Sequence, residues 1–152
     1  MTPAAPLIGV VALLLLATAL GVVLQRRNGR IRRFDGGERL DPADLGAVLG
    51  GEALGPQGAV VQFSTEYCAR CPGVRRLIAA LLDGRRGIGF AHVDLTRDPV
   101  LAKRFGVLQT PTVLIVDGEG RLRSRLSGPI SREALEDSLV PLTGGSYDRD
   151  DA

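Results

Sequence analysis

Cys68-Ala69-Arg70-Cys71 is the segment of this chain whose residue types and spacing could do chemistry, and it contains the only two cysteines present. Two cysteines three positions apart at the start of a helix share a face, so their sulfurs can join with little backbone movement. One thiolate can then attack a disulfide while the other resolves the mixed species. The amides of an open helix N-terminus, or a neighbouring cation, lower a thiol's pKa. This makes Cys68 the expected nucleophile, Cys71 its resolving partner and Arg70 the cation that sequence places between them.

A C-x-x-C pair is also half of a zinc site. A closed structural site takes four ligands, and beyond the two cysteines this chain has one histidine, His92. Metal ligation is therefore not expected within one chain, although a site shared between two chains stays open. Two buried cysteines without chemistry are the blandest alternative. That alternative leaves unexplained why the loop Ser64-Thr65-Glu66-Tyr67 delivers them to a helix start.

The elements that must position the pair follow from pattern. Asp41-Pro42 opens a short helix to about Leu49, with Asp41 as N-cap and proline in the first turn. Ala59 to Phe63 is an almost continuous apolar strand of the kind buried on both faces. A helix is expected from Cys68 to about Leu82, where Pro72, lacking an amide hydrogen, fits only in the unpaired first turn or at a kink. Ile88 to Leu95 is a second strand and Asp98-Pro99 starts another helix, ending near Phe105. Thr112 to Val116 and Leu122 to Leu126 form a hairpin around Asp117-Gly118-Glu119-Gly120, and Ser131 caps a last helix. The order strand–helix–strand–helix–hairpin–helix implies an α/β domain, a small mixed sheet flanked by helices.

Ahead of this domain, Ala4 to Gln25 carries no charge and is nearly all aliphatic or small, about the length that spans a bilayer. It reads as one transmembrane helix. The rival is a cleaved signal peptide, suggested by Ala17-Thr18-Ala19, but no Lys or Arg precedes the run and it continues to Leu24. Arg26, Arg27, Arg30, Arg32 and Arg33 follow directly. By the positive-inside rule they stay in the cytoplasm with the domain, and they suit anionic lipid headgroups. Of 19 Lys and Arg, these five leave 14 against 17 Asp and Glu. A mildly acidic domain gives no reason to expect nucleic acid.

Taken together, the C-x-x-C after a strand, Phe105-Gly106-Val107-Leu108-Gln109-Thr110-Pro111-Thr112, the Asp117-Gly118 turn and Ser127-Gly128 resemble the thioredoxin-fold family. The resemblance covers roughly Asp41 to Leu142 and divides the chain into a transmembrane helix (4–25), a basic juxtamembrane linker (26–40), a thioredoxin-like domain (41–142) and a disordered tail (143–152). It implies that Pro111 is a cis-proline beside the disulfide and that Thr110 and Tyr67 meet an extended substrate. Tyr67 stands where thioredoxins carry tryptophan. The family's buried proton-shuttling aspartate corresponds to Gln62, which cannot titrate, and its paired lysine to His92. His92 is either a proton acceptor for Cys71 or a hydrogen-bonded core histidine.

The implied activity is thiol-disulfide exchange by a membrane-anchored oxidoreductase, with no cofactor beyond the Cys68–Cys71 disulfide. Its partners would be a disulfide-containing client protein, a thiol electron donor and membrane lipid. A domain facing outward, as in anchored relatives, is the alternative topology. A binding module that uses the fold without redox chemistry is the alternative function.

Overall fold

The computed structural model describes residues 4–27, 30–34, 39–49 and 54–143. Helix α1 (Ala4–Arg27) leads into strand β1 (Arg30–Arg33), then helix α2 (Pro42–Leu49) and strand β2 (Gly58–Ser64). Helix α3 (Cys71–Leu82), strand β3 (Ile88–Asp94) and helix α4 (Pro99–Arg104) follow. Strands β4 (Thr112–Asp117) and β5 (Leu122–Ser127), helix α5 (Arg132–Leu139) and a 3-10 turn at Val140–Leu142 complete the chain. The strands form one five-stranded sheet in the order β1-β5-β4-β2-β3. Only the β2–β3 pair is parallel; β2–β4, β4–β5 and β1–β5 are antiparallel.

The apolar runs of the sequence became the central strands. Every residue of β2 and of β4 is buried, because each has a neighbouring strand on both edges and helices over both faces. In β5, buried residues alternate with half-buried ones, the period-2 pattern of a strand with one drier face. Alternation along β2 splits the interior in two. Ala59, Val61 and Phe63 join Leu45, Val48 and Leu49 of α2 with Leu101 and Phe105 around α4. Val60 faces the other way, against Val74, Ile78 and Leu81 of α3 and Leu135 and Leu139 of α5. Buried positions 71, 74, 78 and 81 of α3 follow the three-and-four spacing that puts one helical face on a sheet.

The ends of the elements have local causes. Ser131 Oγ accepts a hydrogen bond from the Ala134 amide at 3.1 Å, capping α5. The Asp41 carboxylate accepts from the Ala43 amide at 2.7 Å at the start of α2. Gly58 opens β2 with φ +131°, and a Cβ there would lie 2.1 Å from the Val116 carbonyl oxygen. Only glycine fits that position.

Two departures from the sequence reading concern boundaries. The helix expected from Cys68 begins at Cys71: Pro72 occupies its first turn, where a missing amide costs nothing, and Cys68 to Arg70 form the turn before it. Part of the expected 26–40 linker is sheet, since Arg30–Arg33 pairs with β5 as an edge strand. An Arg-Ile-Arg-Arg segment has no strand signature of its own; backbone pairing to the free edge of β5 makes it one. The Gly pair of that linker and the tail beyond Thr143 lie outside the described residues.

Among the described residues no helix is long and apolar enough to cross a membrane. The side chains of α1 are described from Gly9 to Val22. Within that stretch the large apolar side chains are exposed, Leu13 at 70% and Leu16 at 71%.

Candidate active site

The site stands at the C-terminal end of β2, where the buried strand hands over to the turn at residues 65–70. Cys68 and Cys71 are joined as a disulfide, with Cα atoms 5.5 Å apart. The two cysteines differ in environment. Cys71 is 4% exposed at the base of α3, whereas Cys68 is half-buried in the preceding turn. An attacking thiol must reach a second molecule, and of the pair Cys68 is the one placed to do so. The Cys71 amide donates to the Cys68 carbonyl at 3.2 Å, closing the turn.

Gln62 lies beneath the pair, fully buried, and its Nε2 donates to the Cys71 carbonyl at 2.9 Å. Its Oε1 has no hydrogen-bond partner among the described residues. The side chain that stands where the family carries an acid therefore holds the first turn of α3 in place and supplies no proton.

A cleft of about 540 Å³ opens beside the disulfide, lined by both cysteines, Ser64, Arg75, Arg76 and His92. His92 on β3 is solvent-exposed, which removes the core-histidine reading. Its Nε2 pairs with Ser64 Oγ at 2.7 Å. Partial desolvation, followed by the Arg75 charge, pushes the imidazole below its ordinary pKa, while Asp94 pulls it back only in part. The shift favours the neutral ring, the form able to accept a proton.

Arg70 does not line this cleft. It is exposed and borders a separate one with Pro129 and Ile130, because the turn before α3 directs it to the other side. The cations beside the dithiol are Arg75 and Arg76, one turn into the helix. Sequence reasoning missed them, along with Ser64. Arg75 stands four residues after Cys71, the one spacing that could have signalled a shared face. The Ser64–His92 pair needed the β2–β3 register, in which Ser64 aligns with Asp94.

Across the loop, the Thr110–Pro111 peptide is cis. Pro111 is buried and its carbonyl accepts from the Gly128 amide at 2.9 Å; Gly128 has φ +83°, a backbone region that favours glycine. Thr110 is half-buried, with Oγ1 at 3.5 Å from Thr65 Oγ1. Tyr67 projects into solvent, 86% exposed. A hydrogen bond with Glu66, with a smaller effect of burial, raises its phenol pKa, so the hydroxyl remains protonated.

The thioredoxin family model matches residues 54–140, and the chain belongs to that family. It is 30% identical over 63 residues to the thiol:disulfide interchange protein HelX of Rhodobacter capsulatus, covering 40% of this chain and 36% of that protein. It is 30% identical over 83 residues to thioredoxin H2 of Arabidopsis thaliana, covering 55% of this chain and 61% of that one. The chain therefore spans between about a third and three fifths of these curated relatives. Among solved structures it is similar to mitochondrial thioredoxin 3 from Saccharomyces cerevisiae in its oxidised form, at 23% identity and TM-score 0.45, covering 52% of this chain and 73% of that one. A malarial protein is similar at 22% identity and TM-score 0.48, covering 53% of this chain and 91% of the other. A thioredoxin-family domain with a joined C-x-x-C pair is consistent with a thiol-disulfide oxidoreductase.

Proposed function

We propose that this protein is a membrane-anchored thiol-disulfide oxidoreductase. The Cys68 thiolate attacks one sulfur of a client disulfide, a mixed disulfide forms, and the other client sulfur leaves as a thiolate. The Cys71 thiolate then attacks the Cys68 sulfur and expels the second client thiolate. Two electrons pass to the client, Cys68–Cys71 is left oxidised, and a dithiol donor must reduce it again. The observation that carries this reading is the joined pair itself, Cys68 half-buried in the turn and Cys71 buried at the base of a helix. His92, in the same cleft and shifted toward its neutral form, is proposed as acceptor of the Cys71 proton, and Thr110, Pro111 and Tyr67 as the surface that meets the client chain.

Anchoring is supported by the unbroken helical backbone from Ala4 to Arg27 and by a sequence without charge up to Arg26. The arginines that follow favour a cytoplasmic domain, where ambient thiols drive net reduction of clients.

The test is a redox titration of the full chain in detergent, with Cys68–Cys71 followed by thiol alkylation. A single reversible two-electron transition is expected. Failure to form the intramolecular disulfide at any glutathione ratio overturns the catalytic reading. In turnover assays Cys68→Ser should abolish disulfide reduction, and Cys71→Ser should accumulate the mixed disulfide on Cys68.

A further inference from the structure

The register of the sheet says which end of the domain the N-terminal helix leaves from. Arg30, the first residue of β1, pairs with Ser127, the last of β5. Ser127 pairs with Thr112, the first residue of β4, and Thr112 with Phe63 near the end of β2. Arg30, Ser127, Thr112 and Phe63 thus form one row across the sheet, about 15 Å long at ordinary strand spacing. Beyond that row, on the same side, lie the Cys68 turn, the cis Thr110–Pro111 bond and Gly128, bonded to the Pro111 carbonyl. The chain that enters β1 comes from that side too.

Little chain separates this row from α1. A helix of 24 residues is about 36 Å long, longer than a hydrocarbon core of roughly 30 Å, which leaves Arg26 and Arg27 at headgroup level. From Arg27 to Arg30 is three residues, a reach of at most about 11 Å. β1 is then held along β5 rather than free as a tether.

A second observation concerns the surface at this end. Outside α1 and Ile31, the large apolar side chains exposed among the described residues are Tyr67 (86%), Val100 (69%) and Leu108 (97%). Tyr67 stands on the β2–α3 connection, and Val100 and Leu108 on the connection from β3 to β4. Both connections depart from the end that carries the dithiol. The opposite end, with the β4–β5 hairpin, shows none among the described residues.

We infer that the dithiol end of the domain faces the bilayer, with Tyr67, Val100 and Leu108 against the lipid headgroups, so that its clients are disulfides held at the membrane surface. The inference rests on the anchor proposed above. Because β1 is part of the sheet, the Cys68 side of the domain cannot swing far from the surface while α1 is in the membrane. A disulfide far above the headgroups is then out of reach.

The experiment uses the full chain in phosphatidylcholine–phosphatidylglycerol vesicles carrying a fluorescent headgroup acceptor. Cys68 and Cys71 are kept oxidised, and one donor dye is placed at Leu108→Cys or at Glu119→Cys, both exposed positions. Energy transfer from position 108 should be at least about twofold stronger, since strands of this length separate the two ends by roughly 20 Å. Equal transfer, or stronger transfer from position 119, overturns the inference and leaves the anchor intact. Failure of the chain to float with the vesicles overturns the anchor, and the inference with it. A kinetic readout addresses the client. A disulfide peptide fixed directly above a transmembrane helix should be reduced about tenfold or more faster than the same peptide raised on a rigid helical spacer of about 30 residues; equal rates overturn the restriction to surface disulfides.

Discussion

At the scale of single residues, the dithiol works against an unusual floor. Gln62 supplies a donor to the Cys71 carbonyl and cannot exchange a proton; under the proposed mechanism proton handling falls to the cleft side, where His92 pairs with Ser64. His92→Gln keeps a polar group there and removes titration. It should slow resolution by up to about 10² and abolish the acid limb of the pH–rate profile that the native imidazole places below its ordinary value. An unchanged profile would show that His92 is not the base. Gln62→Glu tests the floor in a different way. Burial raises a carboxyl pKa, so the folded state of this variant binds more protons than the unfolded one above about pH 4. Its stability should be complete at low pH and fall as pH rises toward 7 and through the raised folded pKa, by about 1.4 kcal/mol per pKa unit. Thermal melts from pH 4 to 8 would reveal that slope, and the parent should lack it. The pairing of Cys68 with Cys71 was legible from spacing. Which cations accompany them was not, because Arg70 is adjacent in sequence but Arg75 and Arg76 are adjacent in space.

At the scale of elements, the β4–β5 hairpin turns on one carboxylate. Asp117 is 8% exposed and accepts from the Glu119 and Arg121 amides, each at 2.9 Å, and from Arg123 Nε at 2.7 Å. Burial pushes its pKa up, but the hydrogen bonds from the Arg121 amide, the Arg123 side chain and the Glu119 amide outweigh it and hold the carboxyl below its ordinary value. The folded pKa is the depressed one. The stabilisation is therefore present above the unfolded value near 4 and is lost as pH falls through the folded pKa. Asp117→Ala should cost about 1–3 kcal/mol in urea denaturation at pH 7, and the gap from the parent should narrow below pH 4. A constant gap would mean that the side chain acts by packing alone. Asp117-Gly118 announced the turn in sequence, and Ser131 announced its helix with equal clarity, since caps and tight turns are local chemistry. β1 could not be announced, because its only cause is the unpaired edge of β5, far along the chain.

At the scale of the whole molecule, the buried apolar residues among those described fall into two clusters, one on each face of the sheet. Phe63 and Phe105, with ring centroids 5.3 Å apart, belong to the α2–α4 layer; Ile78 belongs to the α3–α5 layer. Phe63→Leu and Phe105→Leu should therefore be non-additive by about 0.5 kcal/mol or more, while either combined with Ile78→Val should add within about 0.5 kcal/mol. Strong coupling across the sheet in chemical denaturation would contradict the two-layer picture. From the amino-acid order alone came the α/β class, the buried central strands, the caps, the dithiol and the apolar N-terminal run, because each depends on periodicity, on short-range hydrogen bonding or on a few adjacent residues. Tertiary structure alone decided that Arg75, Arg76 and Ser64 join His92 beside the cysteines and that Gln62 reaches the Cys71 carbonyl. It alone decided, too, that β1 begins at the end of the sheet that carries the active site. Each of these depends on which strands pair and in what register, and that is settled by burial and backbone pairing between residues tens of positions apart.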